Sequence, residues 1–132
     1  MGTRMAKPAL DAGIVSADAA PLLAFYRGVF GMTPLDRLDL PGIGVVHKLA
    51  CGQSVLRVMV PATPPEPDGA KSWSARAGIR YLTFEVEDVA AAVAAVRAHG
   101  GRVELEPFEL RPGRFVSQVF DPQGNMIEIG QG

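Results

Sequence analysis

One pattern occurs twice in this chain, about seventy residues apart, and it limits the fold more than any other feature. Ile14-Val15-Ser16-Ala17-Asp18 opens onto an apolar helical run that ends at Gly31. Phe84-Glu85-Val86-Glu87-Asp88 opens onto a second run that ends at Gly101. At an offset of seventy, Asp18 falls on Asp88, Arg27 on Arg97 and Gly31 on Gly101. Further on, Lys48–Val58 aligns with Val119–Ile129 at an offset of seventy-one. Two copies of one supersecondary unit imply a pseudo-twofold architecture, with a ligand cleft expected between the copies.

Local signals give each copy the order strand–helix–strand–strand–strand. Ala12–Ser16 reads as a strand, after which Asp18 can accept helix-start N–H groups and Pro21 falls in the first turn. Leu22, Tyr26, Val29 and Phe30 make one helical face, and Gly31 supplies the left-handed stop. Strands follow at Pro34–Leu40, Ile43–Ala50 and Ser54–Val60. The second copy runs from a strand at Ile79–Val86 into a helix at Val89–Ala98, capped by Asp88 and buried along Val89, Val93 and Val96. Its later strands are expected at Arg102–Glu106, Phe115–Phe120 and Met126–Ile129. Asp121-Pro122-Gln123-Gly124 between the last two is strong turn chemistry. The resulting division is a first βαβββ module at 9–60, a proline-rich linker at 61–76 and a second module at 77–130. Helices on one face of each sheet leave the other faces free to form a curved, partly open mixed β-barrel of the α+β class.

With 48% hydrophobic residues in 132, the chain can bury a core. A net charge of −1 gives no bulk attraction to nucleic acid or to an anionic membrane. The single cysteine, Cys51, has no disulfide partner and sits in an expected turn with no base near it in sequence. Met1–Pro8 lacks a signal peptide's apolar stretch, and no run reaches transmembrane length. A soluble cytoplasmic protein is expected.

The motifs resemble those of the vicinal oxygen chelate superfamily, the glyoxalase/bleomycin-resistance/extradiol-dioxygenase group. The resemblance is carried by Asp18…Ala24-Phe25-Tyr26-Arg27…Phe30-Gly31, by Phe84-Glu85-Val86-Glu87-Asp88-Val89, and by Asp121-Pro122-Gln123-Gly124-Asn125-Met126-Ile127-Glu128-Ile129. It covers about residues 9 to 130. It implies paired βαβββ modules, usually a homodimer, and a cleft for a small organic molecule, in many members with a divalent metal. Metal ligands in such relatives come from the first and last strand of each module. The matching positions here are Asp11, Arg57, Tyr81 and Glu128. Only Glu128 is the usual ligand type; Asp11 could offer an oxygen, and Arg57 has no lone pair and a permanent positive charge. The expectation is a cleft with no metal and no other cofactor.

Strand alternation places Gly13 and Val15 with Asp11, Val55 and Met59 with Arg57, Thr83 and Glu85 with Tyr81, and Met126 with Glu128. His47 lies on an expected cleft strand, paired by the repeat with Gln118. It is either a ligand or acid/base group or a histidine merely bonded within the sheet. The other histidine, His99, ends a helix and reads as structural or solvent-facing. Arg57 and Glu128 are equivalent under the repeat and are expected to face each other, as an ion pair, as a ligand anchor, or both. Trp73, alone in the polar linker, is a stacking lid or a dimer contact. Three functions fit these residues. One is a metal-free binder of a small, partly apolar metabolite or antibiotic. The second is a lyase, isomerase or dioxygenase using a metal or acid/base chemistry by Glu128, Tyr81 or His47. The third is a regulator of a protein partner with a vestigial cleft.

Overall fold

The computed structural model describes residues 2–68 and 72–132. Residues 69–71, in the middle of the expected linker, lie outside the described residues, as does Met1. Each half has the expected element order. The first comprises β1 (Ala12–Val15), α1 (Ala20–Phe30), β2 (Thr33–Leu40), β3 (Gly44–Cys51) and β4 (Ser54–Pro61). The second comprises β5 (Tyr81–Glu85), α2 (Val89–Ala98), β6 (Arg102–Arg111), β7 (Arg114–Phe120) and β8 (Met126–Gln131). The α+β fold contains two four-stranded mixed sheets, ordered β1-β4-β3-β2 and β5-β8-β7-β6. Each first strand pairs parallel to its module's last strand, and the other ladders are antiparallel. The sheets remain open and do not close into a barrel.

β6 runs five residues past its expected end at Glu106, through Pro107. Proline removes a ladder donor, which stops a central strand but not an edge strand whose N–H can face solvent. β6 is such an edge, and its pairing with β7 shifts register around this stretch. Pro34 lies on the edge strand β2 in the same way.

The helix starts differ in quality. Asp88 accepts from the Ala91 N–H (3.0 Å), and Gln131 at the end of β8 accepts from the Val89 N–H (2.7 Å). Asp18 accepts from Ala20 (3.1 Å) and from no other described residue, while Ser16 holds the Asp18 backbone. Gly31 ends α1 at φ 64°, the left-handed geometry expected of it.

One hydrophobic core spans both modules. Leu22, Phe25 and Tyr26 of α1, Leu49, Leu56 and Val58 of the first sheet, Val93 and Val96 of α2, and Ile127 and Ile129 of β8 belong to the same buried cluster. The junction is aromatic: Phe30 stacks on Phe84 of β5 with centroids 4.0 Å apart, and Tyr26 lies 6.5 Å from the same ring. A single carboxylate completes it. Asp121, in the β7–β8 turn, is buried and accepts the Tyr26 hydroxyl (2.8 Å). It also accepts the backbone N–H groups of Gln123 (2.9 Å) and Asn125 (3.0 Å) and the Asn125 amide (2.8 Å). Burial, and then the charge of Asp121, push the Tyr26 hydroxyl far above its ordinary pKa, so it stays a donor.

Tyr26→Phe should therefore cost about 2 kcal/mol, the scale of a lost hydrogen bond to a charged group. Asp121→Ala should cost more, because it strands the tyrosine hydroxyl and two turn N–H groups together. Urea unfolding should show both losses as a lower midpoint at unchanged slope.

Candidate functional site

Helices and core occupy one face of each sheet, so the chemistry collects on the other. Burial alternates along β5, with Tyr81, Thr83 and Glu85 exposed and Leu82 and Phe84 turned inward. β1 alternates likewise, leaving Gly13 and Val15 open. The ladders extend these faces sideways. Gly13 lies beside Arg57, Thr83 beside Glu128, and Gln118 opposite Glu128.

On the first sheet the centre of the open face is an ion cluster. Asp11 takes Arg57 Nη1 (2.9 Å) and Lys7 Nζ (2.7 Å), and also accepts the Val55 N–H (2.9 Å). These three donors, Lys7 first, hold the Asp11 carboxyl well below the usual carboxylate range. Val55 and Met59 flank Arg57 along β4 and are half-buried.

On the second sheet Glu128 is half-buried and takes a long contact from Thr83 Oγ1 (3.5 Å). Glu85 and Arg114 form a bidentate pair next to it, with Arg114 Nη2 donating to Glu85 Oε2 (3.0 Å). That pair lies over Gly130, where a Cβ would collide with both side chains. Its hydrogen bonds push the Glu85 carboxyl down and the Arg114 guanidinium up. Trp73 meets Tyr81 edge-on at 5.5 Å, at the start of β5. Met126 shares the face of Glu128 by register but is almost fully enclosed.

Two expectations are corrected. Arg57 pairs with Asp11 of its own sheet, not with Glu128. The repeat makes Arg57 and Glu128 equivalent, but equivalence is not contact, and the parallel β1–β4 ladder brings a nearer carboxylate. His47 sits opposite Val58, on the helix-facing side of the first sheet, in a cleft of about 110 Å³ with Leu23, Arg27 and Pro34. The residue opposite Arg57 is Lys48, which the sequence reading passed over. The cause is one residue. Four residues separate the paired Ala50 and Val55, whereas five separate Phe120 and Met126. The offset thus changes inside the turn, after β3, so the partner of Gln118 is Lys48 at seventy and not His47 at seventy-one. The two-residue turn at Gly52-Gln53 carried that signal.

Another concavity, of about 450 Å³, lies between the end of α1 and His99. It is a packing seam. The His99 ring fills the space a side chain at Gly28 would need, and its Nδ1 donates to the Ala95 carbonyl (2.9 Å).

The profile of the glyoxalase/bleomycin resistance protein/dioxygenase superfamily matches residues 10–129, nearly the whole of this architecture. The chain belongs to that superfamily. It is 31% identical over 111 residues to a lactoylglutathione lyase of Arabidopsis thaliana, which covers 83% of this chain and 38% of that protein. A putative lactoylglutathione lyase of Brassica oleracea gives the same identity over the same length. The chain thus spans about two fifths of the length of these curated relatives. Among solved structures, a glyoxalase family protein from Bacillus cereus superposes with a TM-score of 0.77 at 19% identity, covering 97% of this chain and 98% of that one. The trypanothione-dependent glyoxalase I of Leishmania major gives 0.70 at 26% identity, covering 94% and 86%. Glyoxalase I from Zea mays gives 0.75 at 21% identity, with 93% of this chain on 44% of that longer one.

The superfamily's metal raises a question of fit, and the donors do not fit it. Of the four matching positions, Arg57 is a cation, and the Asp11 oxygens already serve Lys7, Arg57 and the Val55 N–H. Among the described residues no three His, Cys, Asp or Glu side chains gather closely enough to hold an ion.

Two measurements test this geometry. The Asp11 carboxyl should show no NMR titration between neutral pH and about pH 4, the ordinary aspartate range. Because its folded pKa is depressed, its contribution to stability is complete above the unfolded value and fades only as the pH falls through the folded one. Arg57→Met should cost about 1 kcal/mol or less, since the Arg57 and Asp11 side chains are 44% and 24% exposed. Its effect should add to that of Glu128→Gln but not to that of Asp11→Asn.

Proposed function

We propose that this protein binds a small, partly apolar organic molecule on the open faces of its two sheets, without a metal, in a homodimer that works in the cytoplasm. The observation that carries this reading is the Lys7–Asp11–Arg57 cluster. It puts a fixed side-chain cation, Arg57, and a carboxylate whose oxygens are already taken, Asp11, at two positions where metal-dependent relatives need free donors. Ligand contacts then come from Arg57, Val55 and Met59 on one sheet, and from Tyr81, Thr83, Gln118 and Glu128 on the other, with Trp73 stacked at the rim. Asp11 acts by holding Arg57 in place, and the enclosed Met126 flanks Glu128 on the same face of β8.

Dimerisation is supported by the apolar surface the open sheets leave uncovered. Val15, Tyr81, Leu105, Phe108 and Leu110 are each more than 40% exposed. Isolated exposed apolar residues are ordinary, but so many along open sheets favour a covering partner. A second reading, lyase or isomerase chemistry, is favoured by the identity to plant lactoylglutathione lyases. It would fall to Glu128 as proton acceptor beside Thr83, with Tyr81 one step along the same face of β5, and His47 is turned away from both.

Protein purified without added metal should carry no stoichiometric Ni, Zn, Mn or Fe, and a chelator should leave its Tm unchanged; one tightly held ion per chain would overturn the metal-free reading. Light scattering at micromolar concentration should give twice the chain mass, and a monomer mass would remove the dimer. A ligand from an aromatic metabolite panel should quench Trp73 and raise the Tm. Lactoylglutathione formation from methylglyoxal and glutathione that Glu128→Gln abolishes would favour the second reading.

A further inference from the structure

We infer that the open face of the first sheet is an anion site, which takes the carboxylate of a small organic acid between Lys48 and Arg57. The inference rests on the reading of the open faces as the ligand site, and it names the ligand's chemical class. Lys48 lies directly across the β3–β4 ladder from Arg57, on the same face. Like charges at such opposed positions destabilise a sheet. The acid available there is already shared. Asp11 serves Lys7 and Arg57 together, so three cations meet one carboxylate, and among the described residues Lys48 has no acidic partner within 4 Å. Arg57 reaches Asp11 through Nη1 alone, which among the described residues leaves the rest of its fork of donors for a second acceptor.

The surroundings set the rest of the ligand. Val46 pairs with Met59 one step along the same face, and Val55 flanks Arg57 on the other side. An acid whose carboxylate bridges Lys48 and Arg57 therefore lays its apolar body along Val46 and Met59. The second sheet offers no copy of this site. The equivalents of Lys48 and Arg57 there are Gln118 and Glu128, which face each other across β7–β8. A carboxylate is attracted by one module and repelled by the other, which fixes one orientation.

The test is calorimetric titration of the full chain with phenylacetate and hexanoate, each against its neutral amide, at low and high salt. Each acid should bind roughly tenfold or more tightly than its amide at low salt, the least expected of a hydrogen bond to a charged group. Salt should narrow the gap. Lys48→Met should abolish the preference while leaving the Tm equal or higher, because it removes a like-charge contact. A purely structural lysine would not combine those two effects. Equal affinity for acid and amide overturns the anion site and leaves the open-face reading standing. Saturable binding of neither pair at millimolar concentration overturns both. A preference retained in both Lys48→Met and Arg57→Met overturns the anion site.

Discussion

The two halves of this protein are one folding unit because of a buried carboxylate. Asp121 carries four hydrogen bonds, three within its own turn and one from Tyr26 on the other module's helix. A buried charge is tolerated only when its acceptor capacity is filled, so the turn, the helix and the aromatic junction must form together. The neighbouring turn residue Gln123 adds a further cross-module link by donating to the Val15 carbonyl (2.9 Å). The joint borders the first strand of each sheet: Gln123 reaches the end of β1, and the turn leads directly into β8, the partner of β5.

The β7–β8 turn also explains why the modules are not equal. It is one residue longer than its counterpart in the first module, and that residue belongs to the segment that wraps the Asp121 carboxylate. The first module closes the same hairpin with Gly52 at φ 57° and has no such lock. The second module's strand face retains an acid, Glu128, where the first has Arg57. The repeat thus gives one backbone plan opposite chemistry, the first face cationic around Lys7, Lys48 and Arg57, the second carrying Glu128 beside the mutually neutralised Glu85–Arg114 pair.

Most of the fold was legible because it rests on local rules. Asp88 before an apolar stripe, Gly31 after one, and Asp-Pro-Gln-Gly between two strands each have a single strong interpretation. The buried sets on β4 and β5 followed from alternation for the same reason. The site was legible only to the level of which face a residue takes. Asp11, Arg57, Tyr81, Thr83 and Glu128 share the open faces because period-two alternation anchored on Asp18 and Asp88 fixes them. His47 was misplaced because every residue of β3 from Gly44 to Lys48 is half-buried, and only the hairpin register tells one face from the other. The Arg57–Asp11 contact depends on the reach of long side chains across a ladder, which no periodicity encodes.

The electrostatics of the open face also bear on assembly. A carboxylate on Lys48 and Arg57 in a single chain is exposed to water, where a charge pair at contact is worth only about 1 kcal/mol. Covering the face with a second copy would lower the local dielectric and strengthen each of those contacts. It would equally raise the cost of leaving Lys48 and Arg57 side by side without an anion. In the proposed assembly, binding and dimerisation are therefore linked: the ligand stabilises the covered face, and the covered face raises affinity for the ligand. The metal-dependent solution places a cation where carboxylates converge. The inverse arrangement here, fixed side-chain cations awaiting a mobile anion, uses the same sheets with the signs exchanged at Arg57.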